Sequence, residues 1–349
     1  ETRTTYPSKL TSKKRSNNTL EMCLASAQKY NIKVFVGLNF NERWWKVDYD
    51  EQWLLKEMGQ GNIVAQEIFD LYKKKYPEAL HGWYWVWEVD NLHCQTSECQ
   101  QALVKALNTN LDYLTALDAD MPFMLSPYMN HAVGLDAEGY GAFWTDVFKE
   151  TNFRGGDIFS PQDCVGAGGL NLQNLDEWFR QLKKAVDSKA GLKFWGNVET
   201  FEQASWTSAS LQRVQKQLDI VNKYTSNIIC FAYSHYNSPY VVNENYHEAY
   251  RHYIYNGLLP NQELKGYAAT VLRKDVKNGV EISWTPSLIE DSKVDGILIY
   301  KNGELLKKIQ FKKNRMLSSF FDKTGGENAA YEIALYNVLG CESERIKVQ

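Results

Sequence analysis

The sequence has no long apolar run. None of its stretches approaches the ~20 apolar residues that a membrane helix needs, and the start, ETRTTYPSK, has no apolar signal core. We therefore expect a soluble chain that does not insert into a membrane. Because an exported protein would already have lost its leader, this absence leaves the compartment open.

The sequence also lacks a strong charge of one sign. It has 39 Lys and Arg residues against 42 Asp and Glu residues, which gives a net charge of −3 over 349 residues. Nothing in this balance predicts bulk attraction to nucleic acid or to an anionic membrane surface. The length predicts two domains, one large and one small.

Metal-binding patterns are missing as well. The six cysteines occur at positions 23, 94, 99, 164, 230 and 341, without a CxxC pair or a histidine cluster at zinc-ligand spacing. We therefore expect neither a structural metal nor a cofactor. Cys94 and Cys99 either close a small loop in an oxidising compartment or remain reduced thiols, and we favour reduced thiols.

Aromatic and β-branched residues form six short apolar runs, which begin 34 to 49 residues apart. The runs are KVFVGLNF from Lys33, GWYWVWE from Gly82, PFMLSPY from Pro122, DIFSPQD from Asp157, KFWGNVETF from Lys193 and NIICFAYSH from Asn227. Between them lie stretches with helical spacing, such as Leu172, Leu175, Phe179, Leu182 and Val186, or Leu211, Val214, Leu218 and Val221. Alternating buried strands and helices predict an α/β fold with a parallel sheet.

An open doubly wound sheet and a closed (β/α)8 barrel both fit this alternation. Two observations favour the barrel. No glycine-rich phosphate turn follows a strand, and polar or aromatic residues collect at the carboxyl ends of the strands. We therefore predict a TIM barrel over residues 1–260.

The barrel is predicted to lack its first one or two βα units in this chain. Only six units are visible, and the first 19 residues are polar and basic, as in a loop that follows a strand. The first helix begins with Leu20, Cys23, Leu24 and Ala27. We expect the front portion to be missing or to come from a separate N-terminal segment on another polypeptide.

The pattern changes after Pro260, where short alternating strands follow one another. VEISWTPS, GILIYKNGEL and YEIALYNV are separated by turn signals such as Asn302-Gly303 and Gly325-Gly326. Trp284 is predicted in the core and Tyr331 as a corner tyrosine. Residues 261–349 therefore resemble a fibronectin type III or immunoglobulin-like sandwich, which we interpret as a structural or substrate-positioning module.

Two glutamates end two of the predicted barrel strands. Side chains alternate along a strand, so Tyr84, Val86 and Glu88 share one face, and the three tryptophans between them share the other. The same parity groups Trp195, Asn197 and Glu199. If two units are missing in front, these strands are the fourth and seventh of the barrel, which lie across its mouth from each other.

Two facing carboxyl groups suit the cleavage of a glycosidic bond, because one must be protonated and the other ionised. Glu88 is our candidate acid/base and Glu199 our candidate nucleophile. Alternatively, each glutamate pairs with a lysine or arginine at its strand end. Asp90 and Asp163, which lie just beyond strands, are competing candidates.

Amide, aromatic and imidazole groups near the strand ends predict a sugar-binding lining. The candidates are Asn39, Trp44, Trp45, Tyr128, Gln162, Asp163, Trp195, Asn197 and His235. By itself, His235 is more typical of a hydrogen-bonded structural residue than of a catalytic base.

The segments TYPSK, FVGLN, GWYWVWE, LSPY, QD, FWGNVETF and FAYSHYNSP occur in this order. Together they resemble an uncharacterised bacterial family of glycoside-hydrolase-like TIM barrels, a domain of unknown function, over about residues 3–256. In that family TYPSK follows the second strand, which agrees with a missing front portion.

The family is similar to clan A glycoside hydrolases, whose acid/base and nucleophile glutamates end strands four and seven. The resemblance assigns these roles to Glu88 and Glu199. One feature departs from the clan: Trp87 stands where an asparagine usually precedes the acid/base and holds a sugar hydroxyl. Asn197 or Asn91 could replace that contact.

We therefore predict an exported bacterial glycoside hydrolase that acts with retention on a polysaccharide or glycan and resides in the periplasm or at the cell surface. The alternative is a carbohydrate-binding surface protein that keeps the barrel as a scaffold and cleaves nothing.

Overall fold

The computed structural model describes residues 4–10, 18–46, 49–261, 264, 270–285, 293–313, 317–326 and 328–349. The chain divides into two compact units. Unit 1 comprises Glu1–Cys164, Gly169–Asn197 and Ile220–Ile229, and unit 2 comprises Val165–Gly168, Val198–Asp219 and Cys230–Gln349. Most of the predicted front loop, residues 1–3 and 11–17, lies outside the described residues.

The main sheet has six strands whose order in space follows their order in the chain. Its strands are β1 (Val34–Gly37), β2 (Leu80–Trp85), β3 (Phe123–Leu125), β4 (Ile158–Phe159), β5 (Lys193–Glu199) and, after a hairpin of β6 (Phe201–Glu202) and β7 (Thr207–Ser208), β8 (Asn227–Phe231). The pairs from β1 to β5 are parallel. Each predicted strand overlaps an observed one, and the order lacks the reversal that a doubly wound sheet requires.

Helices alternate with these strands, as predicted. They are α1 (Thr19–Lys29), a 3₁₀ helix (Glu42–Lys46), α2 (Glu51–Tyr72), α3 (Ser97–Leu117), α4 (Ala137–Glu150), α5 (Leu175–Asp187), α6 (Leu211–Val221), α7 (Tyr233–Tyr236) and α8 (Glu244–Asn256). Polar side chains that accept a backbone N–H fix several helix starts, as Asp50 does for α2 and Thr96 for α3. On α3, Leu103, Leu107 and Leu111 recur at four-residue spacing and are buried.

The C-terminal part of unit 2 is all-β, as predicted. One sheet has the order β13-β10-β9 and the other the order β12-β11-β14-β15. The strands are β9 (Val271–Val276), β10 (Gly279–Trp284), β11 (Val294–Lys301), β12 (Glu304–Gln310), β13 (Ser319–Asp322), β14 (Tyr331–Asn337) and β15 (Ile346–Lys347). Ile282 of the first sheet and Ile297 and Ile333 of the second belong to one buried core, so the two sheets form a sandwich.

Two predicted features of this sandwich can be compared with the structure. Trp284 is buried in the shared core, as predicted. Tyr331 is also buried, and its hydroxyl donates to Asp322 Oδ2 at 2.7 Å. A corner tyrosine bonds to backbone a few residues upstream, whereas Tyr331 holds a carboxylate nine residues upstream.

Within the described ranges, no helix is both long and apolar enough to cross a bilayer. In the same ranges, no three histidine, cysteine, aspartate or glutamate side chains are grouped as a metal ion would require.

Candidate active site

Glu88 lies three residues beyond β2 and continues the face of that strand opposite to the one that packs against helices. Trp83, Trp85 and Trp87 are fully buried, and Trp85 Nε1 donates to Asn110 Oδ1 of α3 at 3.0 Å. Tyr84, Val86 and Glu88 alternate with them and are only partly buried. The predicted parity is therefore confirmed, and it turns Glu88 away from the tryptophan layer.

Glu88 is held by a hydrogen bond from an amide. Gln162 Nε2 donates to Glu88 Oε1 at 2.8 Å. Among the ion pairs of the described residues, none includes Glu88, which argues against the alternative that it merely neutralises a lysine or arginine. Burial raises the pKa of Glu88 and the charge of Asp90 raises it further, while the Gln162 hydrogen bond opposes both effects.

A pocket of about 180 Å³ adjoins Glu88. Its lining residues are Trp44, Trp45, Lys46, Tyr49, Glu88, Asp90 and His93. Trp44 is buried and its Nε1 donates to the Glu88 carbonyl at 3.0 Å, whereas Trp45 is 58% exposed. The structure thus brings both predicted tryptophans to Glu88, and Trp45 offers an indole face to a ligand.

A polar network extends from Glu88 across the ends of β3, β4 and β5. Gln162 Nε2 also donates to the Ser126 carbonyl at 3.2 Å, and Asn197 Nδ2 donates to Ser126 Oγ at 2.9 Å. Burial raises the pKa of Tyr84 to about 12, and a Ser126 hydrogen bond opposes that shift. Glu88, Gln162 and Asn197 are therefore joined through Ser126, which was not among the predicted residues.

Asn197 has a feature typical of a binding group. Its amide is buried, and its Oδ1 atom has no hydrogen-bond partner among the described residues. A buried carbonyl oxygen without a donor costs free energy unless a ligand or water supplies the hydrogen bond. Asn197 can therefore accept a hydrogen bond from a ligand hydroxyl.

Glu199 lies in unit 2, at the end of β5, and is 2% exposed. Ala167 N donates to Glu199 Oε2 at 2.7 Å, and Gln217 Nε2 donates to the Glu199 carbonyl at 3.1 Å. Gly166 lies against it so closely that a Cβ atom there would be 2.9 Å from the Glu199 Cβ. A backbone N–H stabilises the ionised form of a carboxylate, which is the form that a nucleophile needs.

The two competing aspartates differ in their surroundings. Asp90 Oδ1 accepts from the backbone N–H groups of Leu92 and His93, and Asp90 Oδ2 lies 2.7 Å from His93 Nδ1. Asp163 is fully buried, and its backbone N–H donates to the Asn197 carbonyl.

The side-chain amide of Asn91 makes its hydrogen bonds to the neighbouring loop, so Asn91 cannot replace the asparagine of clan A. Its Nδ2 atom donates to three backbone carbonyls, of Asn130, Val133 and Leu135, and its Oδ1 atom accepts from Asn130 N. Of the two substitutes considered for that contact, Asn197 alone keeps a hydrogen-bonding atom for a ligand.

Residues 1–243 match a family model described as "Domain of unknown function (DUF4434)". The chain belongs to the DUF4434 family. No curated protein matches it. A crystal structure named "putative alpha-L-fucosidase", from Bacteroides thetaiotaomicron, is similar over 73% of this chain and 77% of that chain, at 22% identity and a TM-score of 0.60. An intracellular xylanase from Thermoanaerobacterium saccharolyticum is similar over 64% of this chain and 72% of that chain, at 13% identity and a TM-score of 0.43.

The similarity to the Bacteroides structure shows that the DUF4434 chain shares the fold of that protein over the matched region. The predicted resemblance to an uncharacterised domain family is confirmed at the level of the family. The fibronectin type III resemblance of the C-terminal part, by contrast, stays a prediction.

Four predicted lining residues have other neighbours in the DUF4434 chain. Asn39 Nδ2 donates to the carbonyl of Glu57 on α2 at 3.0 Å, and Trp195 packs edge-on against Phe35. The Tyr128 backbone N–H donates to the Val89 carbonyl. His235, in unit 2, is exposed on α7, where its Nδ1 atom lies 2.9 Å from Ser234 Oγ. Their roles in binding stay predictions.

The prediction of reduced thiols at Cys94 and Cys99 is wrong, because the two residues form a disulfide. A turn and the start of α3 bring their Cα atoms to 5.4 Å, within the range that a disulfide spans.

The disulfide loop borders a cavity of about 700 Å³, which shares Tyr49 and His93 with the Glu88 pocket. Three lining residues of the Glu88 pocket were not predicted as site residues, namely Lys46, Tyr49 and His93. No strand end or motif marks them in the sequence.

Proposed function

We propose that this DUF4434 chain is a glycoside hydrolase in which Glu88 is the general acid/base. The observation that carries the proposal is a partly buried carboxyl group, hydrogen-bonded to an amide and adjoining a pocket with two tryptophans. A general acid must keep its proton near neutral pH, and burial raises the pKa of Glu88 in that direction. Aromatic side chains beside such an acid suit the apolar face of a sugar ring.

In the proposed reaction, the Glu88 proton passes to the leaving oxygen as the glycosidic bond breaks. The Glu199 carboxylate attacks the anomeric carbon and forms a glycosyl ester. Water then cleaves that ester after Glu88 removes its proton, so that the sugar is released with its original anomeric configuration. The sequence pattern supports Glu199 as the nucleophile, and the Ala167 N–H bond supports a fixed position of its carboxyl group.

Three wider features belong to the same proposal. We propose that the six-stranded sheet is part of a (β/α)8 barrel, because its strands follow one another in chain order. We propose that the sandwich is a fibronectin type III-like module, on the basis of its two sheets with one core. The Cys94–Cys99 disulfide supports an exported protein, since disulfides persist in oxidising compartments.

The test is a screen of polysaccharides and oligosaccharides for newly formed reducing ends. Glu88→Gln and Glu199→Gln are each expected to lower the rate by about two to four orders of magnitude. Glu248→Gln makes the same chemical change on an exposed side chain of α8 and serves as the control. Unchanged hydrolysis in both site variants would disprove the assignment.

Proton NMR of the first product tests retention, because the anomer formed before mutarotation reports the mechanism. An inverted product would remove Glu199 from the nucleophile role and leave Glu88 as the acid. Glycan binding without new reducing ends would favour a non-catalytic carbohydrate-binding protein.

A further inference from the structure

A hairpin in unit 2 presents a stack of three aromatic rings. Strands β6 and β7 form the hairpin, and Trp206 stands immediately before β7 with 62% of its surface exposed. Its ring lies 5.9 Å from the ring of Phe201 with an interplanar angle of 13°. The Phe201 ring in turn stacks on Tyr236 at 5.2 Å and 22°. Trp206 is therefore the outer member of a stack whose inner ring, Phe201, is buried.

Hydrogen bonds hold the hairpin in place. Gln203 N donates to the Gly166 carbonyl at 2.9 Å, and Ser205 Oγ lies 2.8 Å from Thr207 Oγ1. At its base, Ala209 N donates to the Thr200 carbonyl at 2.9 Å. Because the backbone on both sides of Trp206 is tied down, the indole is supported before any ligand arrives, which reduces the entropy lost on binding.

Trp206 has a backbone conformation that a bulky residue rarely adopts. Its φ angle is +53°, in the left-handed region that glycine or asparagine usually occupies. Such a conformation is energetically unfavourable and is concentrated at sites of function. A glycine would satisfy this turn with less strain, so the indole has a use other than shaping the turn.

The hairpin that carries the ring stack begins next to Glu199, the proposed nucleophile, in the chain. Only Thr200 separates Glu199 from Phe201 in the sequence. A Cβ atom on Gly166 would lie 2.5 Å from the Phe201 carbonyl and 2.9 Å from the Glu199 Cβ, so one glycine backbone contacts both residues. The rigid segment that positions Glu199 therefore also carries the exposed indole.

We infer that the Trp206 stack is a carbohydrate subsite in which the indole binds the apolar face of a pyranose ring. This inference rests on the proposed function and extends it to a sugar residue of the glycan near Glu199. The exposed indole stands between the hydroxyl-bearing residues Ser205 and Thr207 in the sequence, and this matches a ring with one apolar face and a rim of hydroxyl groups. A stable protein partner would require about 800 Å² of contact per side, far more than the Trp206 indole and the half-exposed Phe231 ring beside Phe201 provide.

The test measures glycan binding separately from hydrolysis. Affinity gel electrophoresis in soluble polysaccharides compares the wild type with Trp206→Ala, Trp206→Phe and the control Tyr255→Ala, which removes an 80% exposed ring of α8. Trp206→Ala is expected to weaken binding roughly tenfold, while Trp206→Phe retains most of the affinity. Thermal melting of each variant establishes that it is folded.

The outcomes separate this inference from the hydrolase proposal. Binding that depends on Trp206 without any hydrolysis would support the subsite and disprove the hydrolase. Equal binding by the wild type and Trp206→Ala, on a glycan that the protein hydrolyses, would disprove the subsite alone. If no polysaccharide retards the wild type, or if Trp206→Ala only abolishes self-association in sedimentation, the inference is wrong.

Discussion

Glu88 in unit 1 and Asp295 in unit 2 are both acids whose pKa is raised by burial, yet their surroundings differ. Glu88 has one amide donor and adjoins a pocket. Asp295 is 2% exposed, and its two oxygens accept from Asn243 Nδ2 at 2.7 Å and Gln310 Nε2 at 3.1 Å. A raised pKa marks a candidate catalytic acid only where a ligand can reach the carboxyl group, and Glu88 alone of this pair meets that condition.

The surroundings of Asp295 explain what it does instead. Asn243 Oδ1 accepts from Tyr246 N at the start of α8, and Gln310 Oε1 accepts from Ser208 N of β7. Asp295 therefore joins three elements within unit 2, namely α8, β7 and the sandwich. Its raised pKa is a cost of that connection, whereas in Glu88 a shift in the same direction suits the proposed reaction.

The largest effect is expected from a substitution beside Glu199, a third acid to compare with Glu88 and Asp295. Backbone atoms enclose the Glu199 side chain. In Gly166→Val the new side chain meets the Phe201 carbonyl and the Glu199 side chain, so we expect loss of about 3 kcal/mol of stability and a more than hundredfold fall in hydrolysis. Urea unfolding and the reducing-end assay measure both. Gly59→Ala, where a Cβ atom meets nothing within 4 Å, is the control. Near-normal activity in Gly166→Val would show that the backbone around Glu199 is not needed for the reaction.

Sequence reasoning located the strands and faces of this molecule because they depend on local periodicity. The alternation of Trp83, Trp85 and Trp87 with Glu88 is fixed by the geometry of one strand, and the structure confirms it. Ser126 was missed because its role depends on contacts with Gln162 and Asn197, which are 36 and 71 residues away.

The disulfide and the role of Asn91 could not be read from the sequence for a related reason. The spacing of Cys94 and Cys99 fits either redox state, and the geometry of the turn decides between them. Asn91 follows the same strand as Glu88, but its side-chain amide is hydrogen-bonded to a loop near residue 130. Long-range hydrogen bonds of this kind leave no periodic signal in a sequence.

The second expected effect tests the structural role of Asp295. Because burial raises its folded pKa to about 6, from an ordinary value of 3.8, folding favours the protonated form. Its contribution is fully present below pH 3.8 and is lost as the pH rises through 6, a change of about 3 kcal/mol. This change already includes the opposing effects of the Asn243 and Gln310 hydrogen bonds and of the Lys308 charge. Asp295→Asn removes the titration.

The measurement is the difference in unfolding free energy between the wild type and Asp295→Asn from pH 4 to pH 8. The wild type is expected to lose stability relative to the variant over the interval from 3.8 to 6. Asp275→Asn, on an exposed side chain of β9, corrects for the general titration of surface carboxylates. A difference that does not vary with pH would contradict the assigned burial, and altered hydrolysis at constant stability would overturn the distinction from Glu88.

The smallest expected effect is on the proton affinity of Glu88 itself. The Gln162 hydrogen bond lowers the pKa of Glu88 against the effect of burial, so Gln162→Leu should raise that pKa further. An acid with a higher pKa keeps its proton to higher pH, and the basic limb of the pH–rate profile should therefore move upward, with kcat reduced about tenfold by the loss of positioning. Gln66→Leu on α2 is the control. A basic limb that stays in place, or moves to lower pH, would mean that Glu88 is not the group whose proton the reaction uses, even if Gln162→Leu were slow.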